Sequence, residues 1–388
     1  MKKVLAIILA AVLCFSIMAI SVSARPEKEI TLKFNEDGYF KIIQIADLQD
    51  TANPSKKTME YIREIAETEK PDLFILTGDN ISDSVARGFT KGHSESKVRQ
   101  AIRSFMTVFE EIGVPVAIVF GNHDAEGLVS KEKQMVIYNE YSCCIAVDEG
   151  DSLYGCGTYN LPIYSSDGTK IAYNLWLFDS NMYDDVNGGY DHVHDDQIEW
   201  YVNTSNELKA QNGGEVVPSM AFQHIIVNEV FNALTEVEKG TEGAIENGGK
   251  YYVLPEGAKG ELLERPCPGT VDSLQFDKMV EQGDVKAMFF GHDHKNAFEV
   301  SYNGIDIVNT STSGFGAYGA DNRGVRVITL DENDTSTYET KMIKYLDTCC
   351  DEPGEIILYH LEGIKYIWDM FLMGLSMPLK YITNLLFA

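Results

Sequence analysis

Side chains that commonly bind metal ions follow five short apolar runs of this chain. The runs span 40–50, 71–80, 114–124, 216–227 and 285–294, and the side chains at or near their ends are Asp47, Asp79, Asn122, His224, His292 and His294. Carboxylate, amide and imidazole donors without a thiolate suit Mn, Fe, Zn or Mg rather than a soft metal. Any one of these residues could be a turn residue or a helix cap, but five runs that each deliver donors are hard to explain in that way.

The number of donors indicates how many metal ions the site would hold. Six or more donors exceed the needs of a single tetrahedral site. Two metal ions about 3.5–4 Å apart, sharing a bridging carboxylate, would use them all. The residue types and their spacing therefore predict a dinuclear metal centre.

The hydrophobic pattern indicates which elements must position these donors. The five runs are rich in Val, Ile and Phe and nearly continuous, which is typical of strands buried on both faces. Residues 55–70 and 96–113 carry apolar residues at helical spacing. Strands that alternate with helices predict an α/β layered fold, in which ligands gather at the carboxyl ends of strands. Segments 324–332 and 336–345 indicate two closing strands, whereas 238–253 is interpreted as a long exposed loop.

The motifs at the ends of these runs carry a family resemblance. After the aspartate of the first run come GDN (78–80), GNHD (121–124), His224 and GHDH (291–294). This series resembles the calcineurin-like metallophosphoesterase family over about residues 35–345. Within the family, YDHVHDDQIEWY and GHDHKNAF are similar to the branch of phosphatases related to purple acid phosphatases. The resemblance implies a four-layer α-β-β-α fold, in which a two-sheet β-sandwich is flanked by helices.

The resemblance also implies a role for each residue. Asp47 and His294 would bind the first metal, Asp79 would bridge both metals, and Asn122, His224 and His292 would bind the second. His123 would face the substrate and either stabilise charge on the phosphoryl oxygens or protonate the leaving group. A metal-bound water loses its proton near neutral pH, and the resulting hydroxide would hydrolyse a phosphomonoester or phosphodiester. Asp79 and His123 are therefore the predicted catalytic residues.

Two positions depart from the family pattern, and a third is a candidate for the acidic partner of His123. The family usually has Asp-x-His in the first motif, but here Gln49 follows Asp47 by two residues. Gln49 either ligates through its amide oxygen, which would favour Mn or Mg, or leaves the first metal loosely held. Ser82 stands where purple acid phosphatases carry a tyrosine, so an Fe(III)–tyrosinate site is not expected. Asp83 is the residue considered as the acidic partner that orients His123.

A second histidine-rich stretch, DHVHDD (191–196), lies outside the five runs. His192 and His194 are one residue apart there and could bind a metal ion. The stretch follows a Gly-Gly-Tyr turn rather than a strand, so a solvated turn that leads into a helix is the favoured interpretation. The Gly-rich segment 311–319 lacks the lysine and the helix of a P-loop, and it is interpreted as a wall of the active cleft.

The two ends of the chain differ in composition from the region between them. Residues 1–24 combine two lysines, an apolar core and a closing SVSA. This pattern predicts a cleaved signal peptide and a secreted or cell-surface protein, with a transmembrane anchor as the alternative. We expect residues 25–350 to form the metallophosphoesterase domain. Residues 355–388 are strongly apolar but contain charges and a proline, and they could form a packed helix, an interfacial membrane helix or a true anchor.

Composition narrows the class of partner. The formal net charge of −27 argues against a nucleic-acid partner, because phosphate backbones are bound by clustered lysine and arginine. The six cysteines beyond the signal segment leave the disulfide pairing open. The predicted function is an exported, metal-dependent phosphoesterase that acts on a small phosphoester. The alternative is a metal-binding surface or adhesion module that has the same fold and hydrolyses little. The departure from the family pattern at Gln49 would indicate this alternative.

Overall fold

The computed structural model describes residues 30–52, 54–82, 91–350, 356–357 and 359–361. The predicted signal peptide and most of the apolar segment 355–388 lie outside these residues. Within the described part of the chain, every helix is too short or too polar to span a bilayer.

The strands of the described chain form three sheets. In chain order they are β1 (Leu32–Lys33), β2 (Tyr39–Ile45), β3 (Leu73–Thr77), β4 (Val116–Val119), β5 (Tyr159–Tyr164), β6 (Ile171–Leu177), β7 (Ser219–Phe222), β8 (Thr235–Val237), β9 (Ile245–Asn247), β10 (Lys250–Val253), β11 (Lys259–Glu261), β12 (Val285–Phe290), β13 (Ala297–Tyr302), β14 (Ile305–Asn309), β15 (Gly324–Asp331) and β16 (Glu339–Lys344).

Two of these sheets contain runs of parallel strands. The eight-stranded sheet has the order β1-β5-β6-β7-β12-β14-β13-β11, and the five-stranded sheet has the order β16-β15-β2-β3-β4. Strands β2, β3 and β4 are mutually parallel, and so are β6, β7, β12 and β14. Every residue of β3 is buried, as expected for a strand covered on both faces. The carboxyl ends of each parallel set therefore meet at one edge of its sheet.

Helices cover one face of each large sheet. In chain order they are α1 (Lys56–Glu69), α2 (Lys91–Ile112), α3 (Asn122–Ala125), α4 (Lys131–Tyr138), α5 (Asp195–Gln211), α6 (Val230–Ala233), α7 (Gln275–Gln282) and α8 (Tyr345–Thr348), with a 3₁₀ turn at Gly150–Ser152. On the five-stranded sheet, the ring centroid of Phe109 in α2 lies 5.0 Å from that of Phe74 in β3. On the eight-stranded sheet, Tyr201 in α5 lies 4.9 Å from Trp176 in β6.

Polar side chains join the two large sheets across their facing sides. In β2, the buried Gln44 donates from Nε2 to the carbonyl of Phe290 in β12 (3.1 Å) and accepts from Thr310 Oγ1 (2.7 Å). In β15, the buried Arg326 donates to Glu299 in β13 (2.9 Å). These contacts place the sheets face to face between the two helix layers, so the predicted four-layer α-β-β-α fold is confirmed.

The exposed loop predicted for residues 238–253 is wrong. This segment carries β9 and β10, which pair with β8 in a small antiparallel sheet of order β8-β10-β9. Gly248 and Gly249 join the hairpin with φ of 59° and 85°, the left-handed values that a tight two-residue turn requires. The strands are short, and their residues are mostly half-buried or exposed, so they lack the apolar pattern from which the longer strands were predicted.

The buried Arg326–Glu299 pair generates a stability prediction. Glu299→Gln removes the counter-charge of a guanidinium that is 1% exposed, and we expect a loss of about 3 kcal/mol in the free energy of unfolding. Lys259 contacts the other oxygen of Glu299 (3.1 Å) but is 73% exposed, so Lys259→Met should cost less than about 0.5 kcal/mol. Urea unfolding of both variants measures this difference, and equal midpoints would contradict it.

Candidate metal centre

The predicted donors leave the carboxyl ends of parallel strands in both large sheets. Asp47 and Gln49 follow β2, Asp79 follows β3, Asn122 follows β4, His224 follows β7, and His292 and His294 follow β12. All seven side chains are buried. Because the two sheets face each other, ends that are far apart in the sequence meet at one edge of the sandwich.

One half of the centre gathers around His224. Its Nε2 lies 3.3 Å from Asp79 Oδ2, 3.2 Å from Asn122 Oδ1 and 3.2 Å from His292 Nδ1. Its Nδ1 lies 2.9 Å from the carbonyl of Thr77, which fixes the orientation of the ring. Asp79, His224 and His292 offer ligand atoms that all lie within 4.8 Å of one another.

The other half gathers around His294. Its Nε2 lies 3.3 Å from Asp47 Oδ1 and 3.2 Å from Gln49 Nε2. The Gln49 amide also lies 3.2 Å from Asp79 Oδ2, so the glutamine occupies the centre despite its departure from the family pattern. Asp47, Asp79 and His294 form a second group of ligand atoms within 4.8 Å. Asp79 is thus shared by both groups.

One orphaned polar atom shows that this donor set fits metal ions. Asp47 Oδ1 is buried and makes no hydrogen bond within the described chain, although it lies 3.3 Å from His294 Nε2. Buried polar groups are normally paired, because desolvation without a partner is unfavourable. Carboxylate and imidazole donors without a paired hydrogen are what a divalent cation of the Mn, Fe or Zn type requires.

The backbone of the centre is held in conformations that few residues adopt. Asp47, Gln49, Asp79 and His292 all have positive φ, between 42° and 69°. Such conformations are unfavourable for residues with a Cβ and persist only where the surrounding structure enforces them. Here they turn four chelating side chains inward within a few residues of the strand ends.

The first residue of the GDN and GHDH motifs, a glycine, permits close approach. A Cβ at Gly78 would lie 2.6 Å from His224 Nδ1, and one at Gly291 would lie 2.7 Å from Asp47 Oδ2. Both distances are shorter than a nonbonded contact allows, so any larger residue would displace a ligand. This explains why GDN and GHDH each begin with glycine.

The charges at the centre follow from burial and from neighbouring groups. Burial alone would raise the pKa of Asp79, but the imidazoles of His224, His123 and His292 hold it far below its ordinary value. Burial opposes protonation of His224, yet the Asp79 carboxylate prevails and raises the pKa of His224 to about 10. Burial and the adjacent His224 lower the pKa of His292 far below its ordinary value. Without metal, an ionised Asp79 therefore lies beside a protonated His224 at neutral pH.

His123 lies at the mouth of the centre. Its backbone N–H donates to Asp79 Oδ1 (2.8 Å), and its side chain is 33% exposed, unlike the buried imidazoles behind it. Nδ1 lies 3.1 Å from Glu126 Oε2, and Tyr183 donates to the other oxygen of the same carboxylate (2.7 Å). Glu126 is thus the acidic residue beside Nδ1 of His123, and Asp79 Oδ2 lies 3.8 Å from Nε2. Asp83, considered as the partner of His123, lies outside the described residues. The spacing i, i+3 of His123 and Glu126 on one helical turn was the signal in the sequence.

Asp124, the last residue of GNHD, was also missed by sequence reasoning. Its buried carboxylate accepts hydrogen bonds from the backbone N–H groups of Gly121 (2.8 Å), Asn80 (3.1 Å) and Ile81 (3.0 Å). It therefore fastens the loop after β3 to the loop after β4. Burial and the nearby Asp79 charge raise the pKa of Asp124 to about 7.

Aromatic side chains flank the two histidine groups. The Tyr190 ring lies 4.3 Å from the His292 ring, and the Tyr318 ring lies 4.2 Å from the His294 ring. The Gly-rich segment 311–319 supplies Tyr318, and its Thr312 Oγ1 donates to the carbonyl of Asp47 (2.8 Å). This segment therefore borders the centre, as interpreted from the sequence, and its hydrogen bond holds the backbone of the first motif in place.

Comparison with known proteins identifies the family. The family model described as calcineurin-like phosphoesterase matches residues 40–296, more than half of the chain. The chain belongs to this family. The matched region runs from β2 to the residues after β12, so it includes all seven buried donors and His123.

Relatives of this chain carry phosphatase names. A protein of Arabidopsis thaliana named probable inactive purple acid phosphatase 14 is 28% identical over 324 residues, which cover 74% of each chain. Phosphatase DCR2 of Saccharomyces cerevisiae is 26% identical over 293 residues, 69% of this chain and 46% of the yeast protein. Among solved structures, a dimetal phosphatase from Danio rerio aligns over 79% of this chain and 99% of its own, at 12% identity and a TM-score of 0.47. The names of the Arabidopsis and yeast proteins agree with the branch of phosphatases expected from the sequence.

The raised pKa of His224 generates a prediction about metal affinity. Binding must displace the His224 proton throughout the range below about pH 10, so acid competes with the metal. We expect the apparent affinity for zinc to fall about tenfold for each unit of decreasing pH between about 8 and 6. Competition with a chelating dye at several pH values measures this slope.

A matched variant identifies the source of the proton. His224→Asn carries no ionisable group at this position, so its slope should be smaller by about one proton, whatever its absolute affinity. A wild-type affinity that does not change with pH would contradict the assignment of the proton to this centre.

Proposed function

We propose that the chain is a metal-dependent phosphoester hydrolase with a dinuclear centre. The observation that carries this proposal is the pair of ligand groups that share Asp79, one with His224 and His292 and the other with Asp47 and His294. A buried carboxylate shared by two groups of carboxylate and imidazole donors is the arrangement that a bridged metal pair requires. Membership of the phosphoesterase family supports the same reaction class.

Each residue would have a defined place in this centre. Asp47, Gln49 and His294 would hold one metal ion, Asn122, His224 and His292 would hold the other, and Asp79 would bridge them. Two divalent ions of Mn, Fe, Zn or Mg, bound there, would supply Lewis-acid activation of the phosphoryl group and of the attacking water. An amide oxygen is a neutral donor, so Gln49 would leave its metal with less negative charge than a carboxylate would.

His123 is the residue placed to serve the leaving group. It is the most exposed imidazole of the site, and its backbone N–H is anchored to the bridging Asp79. Glu126, held by Tyr183, accepts from Nδ1 and would keep Nε2 directed at the substrate. A protonated His123 would stabilise the phosphoryl oxygens and then deliver its proton to the departing oxygen.

The centre also accounts for how an acidic protein could bind a phosphoester. The formal charge of −27 repels anions at long range. Two bound divalent cations and His123 would reverse that field locally. We propose a small phosphomonoester or phosphodiester as substrate, with Tyr190 and Tyr318 as the walls beside the imidazoles. A nucleic-acid substrate is disfavoured, because a polyanion would meet the acidic surface well beyond the centre.

A second candidate function is a metal-binding module with little hydrolysis. Two observations favour it: Gln49 replaces the histidine of the first motif, and the Arabidopsis relative is named a probable inactive phosphatase. The yeast relative is named a phosphatase, which favours the enzyme. The two functions differ in turnover and not in metal content, so kinetics separates them.

Substitution of the proposed catalytic residues tests the enzyme. In the chain lacking residues 1–24, loaded with Mn or Zn, His123→Ala should lower kcat for an aryl phosphate by about 10²-fold or more, while metal content is retained. Asp79→Asn should abolish turnover together with binding of the metal pair. His360→Ala changes an exposed histidine away from the strand ends and should leave kcat unchanged.

The outcomes assign one of the two functions. Turnover that depends on His123 and Asp79 supports the hydrolase. Two bound metal ions per chain without turnover of an aryl monoester or a bis-aryl diester support the metal-binding module. Turnover that survives both substitutions would contradict the proposed site.

We also propose that the chain is exported and that residues 355–388 contact a membrane surface. The composition of residues 1–24 and the apolar character of 355–388 support this proposal. Expression of the full chain should yield a product that lacks residues 1–24 by mass spectrometry. Deletion of 355–388 should move protein from the membrane fraction to the medium. An intact Met1 on cell-internal protein would contradict export, and unchanged fractionation would contradict the membrane contact.

A further inference from the structure

The stretch Asp191–His194 lies outside the dinuclear centre, directly before helix α5. It was interpreted as a solvated turn, but this is wrong for Val193, which is 1% exposed and packs in the core beneath α5. In extended backbone, alternate residues point to opposite sides. Burial of Val193 therefore directs His192 and His194 to the same side. Their rings are parallel within 11°, with centroids 4.5 Å apart.

A buried carboxylate completes this pair. The Asp191 side chain is only 4% exposed, and its Oδ1 lies 3.0 Å from His192 Nδ1 and 3.0 Å from His194 Nε2. The three residues offer ligand atoms that all lie within 4.8 Å of one another. In a tetrahedral zinc site with bonds of about 2.0–2.1 Å, neighbouring ligand atoms are about 3.3 Å apart. The separations at Asp191 are close to that value.

The surrounding residues hold this geometry in place. Asn181 Nδ2 donates to the carbonyl of His192 (2.8 Å), and Gln197 Oε1 accepts from the backbone N–H of His194 (2.8 Å). Gln197 is itself anchored, because its Nε2 donates to the carbonyl of Asp179 (2.8 Å). The Tyr154 ring stacks on His194 at 3.7 Å and 13°. Such outer contacts fix the segment that carries the ligands. Because an ion lies in the plane of each imidazole that binds it, the two stacked rings would tilt relative to each other on binding.

One ligand atom lacks the hydrogen bond that burial normally demands. His192 Nδ1 is buried and makes no hydrogen bond with the described residues, although it lies 3.0 Å from Asp191 Oδ1. The distance is short enough for a hydrogen bond, so the two atoms are not aligned for one, whereas His194 Nε2 makes a 3.0 Å hydrogen bond to the same oxygen. An ion at this position would take up the lone pair of His192 Nδ1 and replace the proton shared by His194 and Asp191.

The cluster opens onto a solvent-accessible cleft. The cleft has a volume of about 480 Å³, and Asp195, Asp196 and Asp272 line it beside the two histidines. Carboxylates concentrated on the walls of a cleft raise the local concentration of cations. Water or one of these carboxylates could complete the coordination of an ion held by the three ligands.

We propose that Asp191, His192 and His194 form a third metal site, separate from the dinuclear centre, that binds a divalent ion of the zinc type. Two imidazoles and one carboxylate suit Zn, Fe, Ni or Cu and disfavour Mg and Ca, which prefer oxygen donors. The preceding residue, Tyr190, packs against His292 of the dinuclear centre. An ion at the third site would therefore stabilise the segment that carries one wall of that centre.

Zinc stoichiometry tests the proposal. The wild type and His192→Gln/His194→Gln are dialysed to equilibrium against the same micromolar zinc buffer, and the metal content per chain is measured. The double variant should bind one zinc fewer than the wild type. His360→Gln, at an exposed histidine of the described chain, should bind the same number as the wild type. An unchanged stoichiometry in the double variant overturns the proposal.

The difference of one zinc does not depend on the proposed function. If the dinuclear centre also binds zinc, the counts are three and two, and Asp79→Asn should retain the third site. If that centre binds no metal, the counts are one and zero, which contradicts the hydrolase but supports the third site.

A measurement on the unchanged chain covers the case of a double variant that does not fold. Crystals of the wild type grown with zinc should show an anomalous peak at the zinc edge about 2.1 Å from His194 Nε2. Absence of a peak at that position overturns the proposal, wherever else zinc is found.

Discussion

The centre depends on one buried carboxylate that faces imidazoles from both large sheets. Asp79 is 1% exposed, and its two oxygens contact His224 at 3.3 Å and the backbone N–H of His123 at 2.8 Å. An isolated charge so far from water would be strongly destabilising, so its environment must supply positive charge. A protonated His224 does so in the metal-free chain, and metal ions would do so in the loaded one. The same carboxylate thereby links metal binding to the position of the imidazole that would meet the substrate.

This arrangement ties the chemistry to the packing of the sandwich. Asp79 follows a strand of the five-stranded sheet, whereas His224 and His292 follow strands of the eight-stranded sheet. The centre can therefore form only when the two sheets pack against each other in their observed relative position. Gln44 and Arg326 make the buried polar contacts between the facing sheets, and such contacts are directional where apolar packing is not. They fix how the strand ends meet, in addition to stabilising the fold.

The metal ligands at the strand ends are tightly constrained, whereas the residues around them can change between family members. The glycines that begin the GDN and GHDH motifs and the positive φ values at the ligands leave little freedom within the centre. At its rim, Glu126 lies one helical turn beyond His123, whereas Tyr183 and Tyr190 come from a loop remote from the strand ends and contact Glu126 and His292 by tertiary packing. Substrate choice within one family can change through such rim residues without disturbing the metal ligands.

The sequence by itself determined what depends on neighbouring residues. Continuous apolar runs marked the buried strands, the helix predicted for 55–70 is observed at Lys56–Glu69 with Ser55 as its cap, and the donor types indicated a divalent metal centre. Only the tertiary structure decided which distant segments meet. It placed Tyr183 on Glu126 and Tyr190 beside His292. These contacts rest on packing between segments remote in the chain, which periodicity and spacing do not encode.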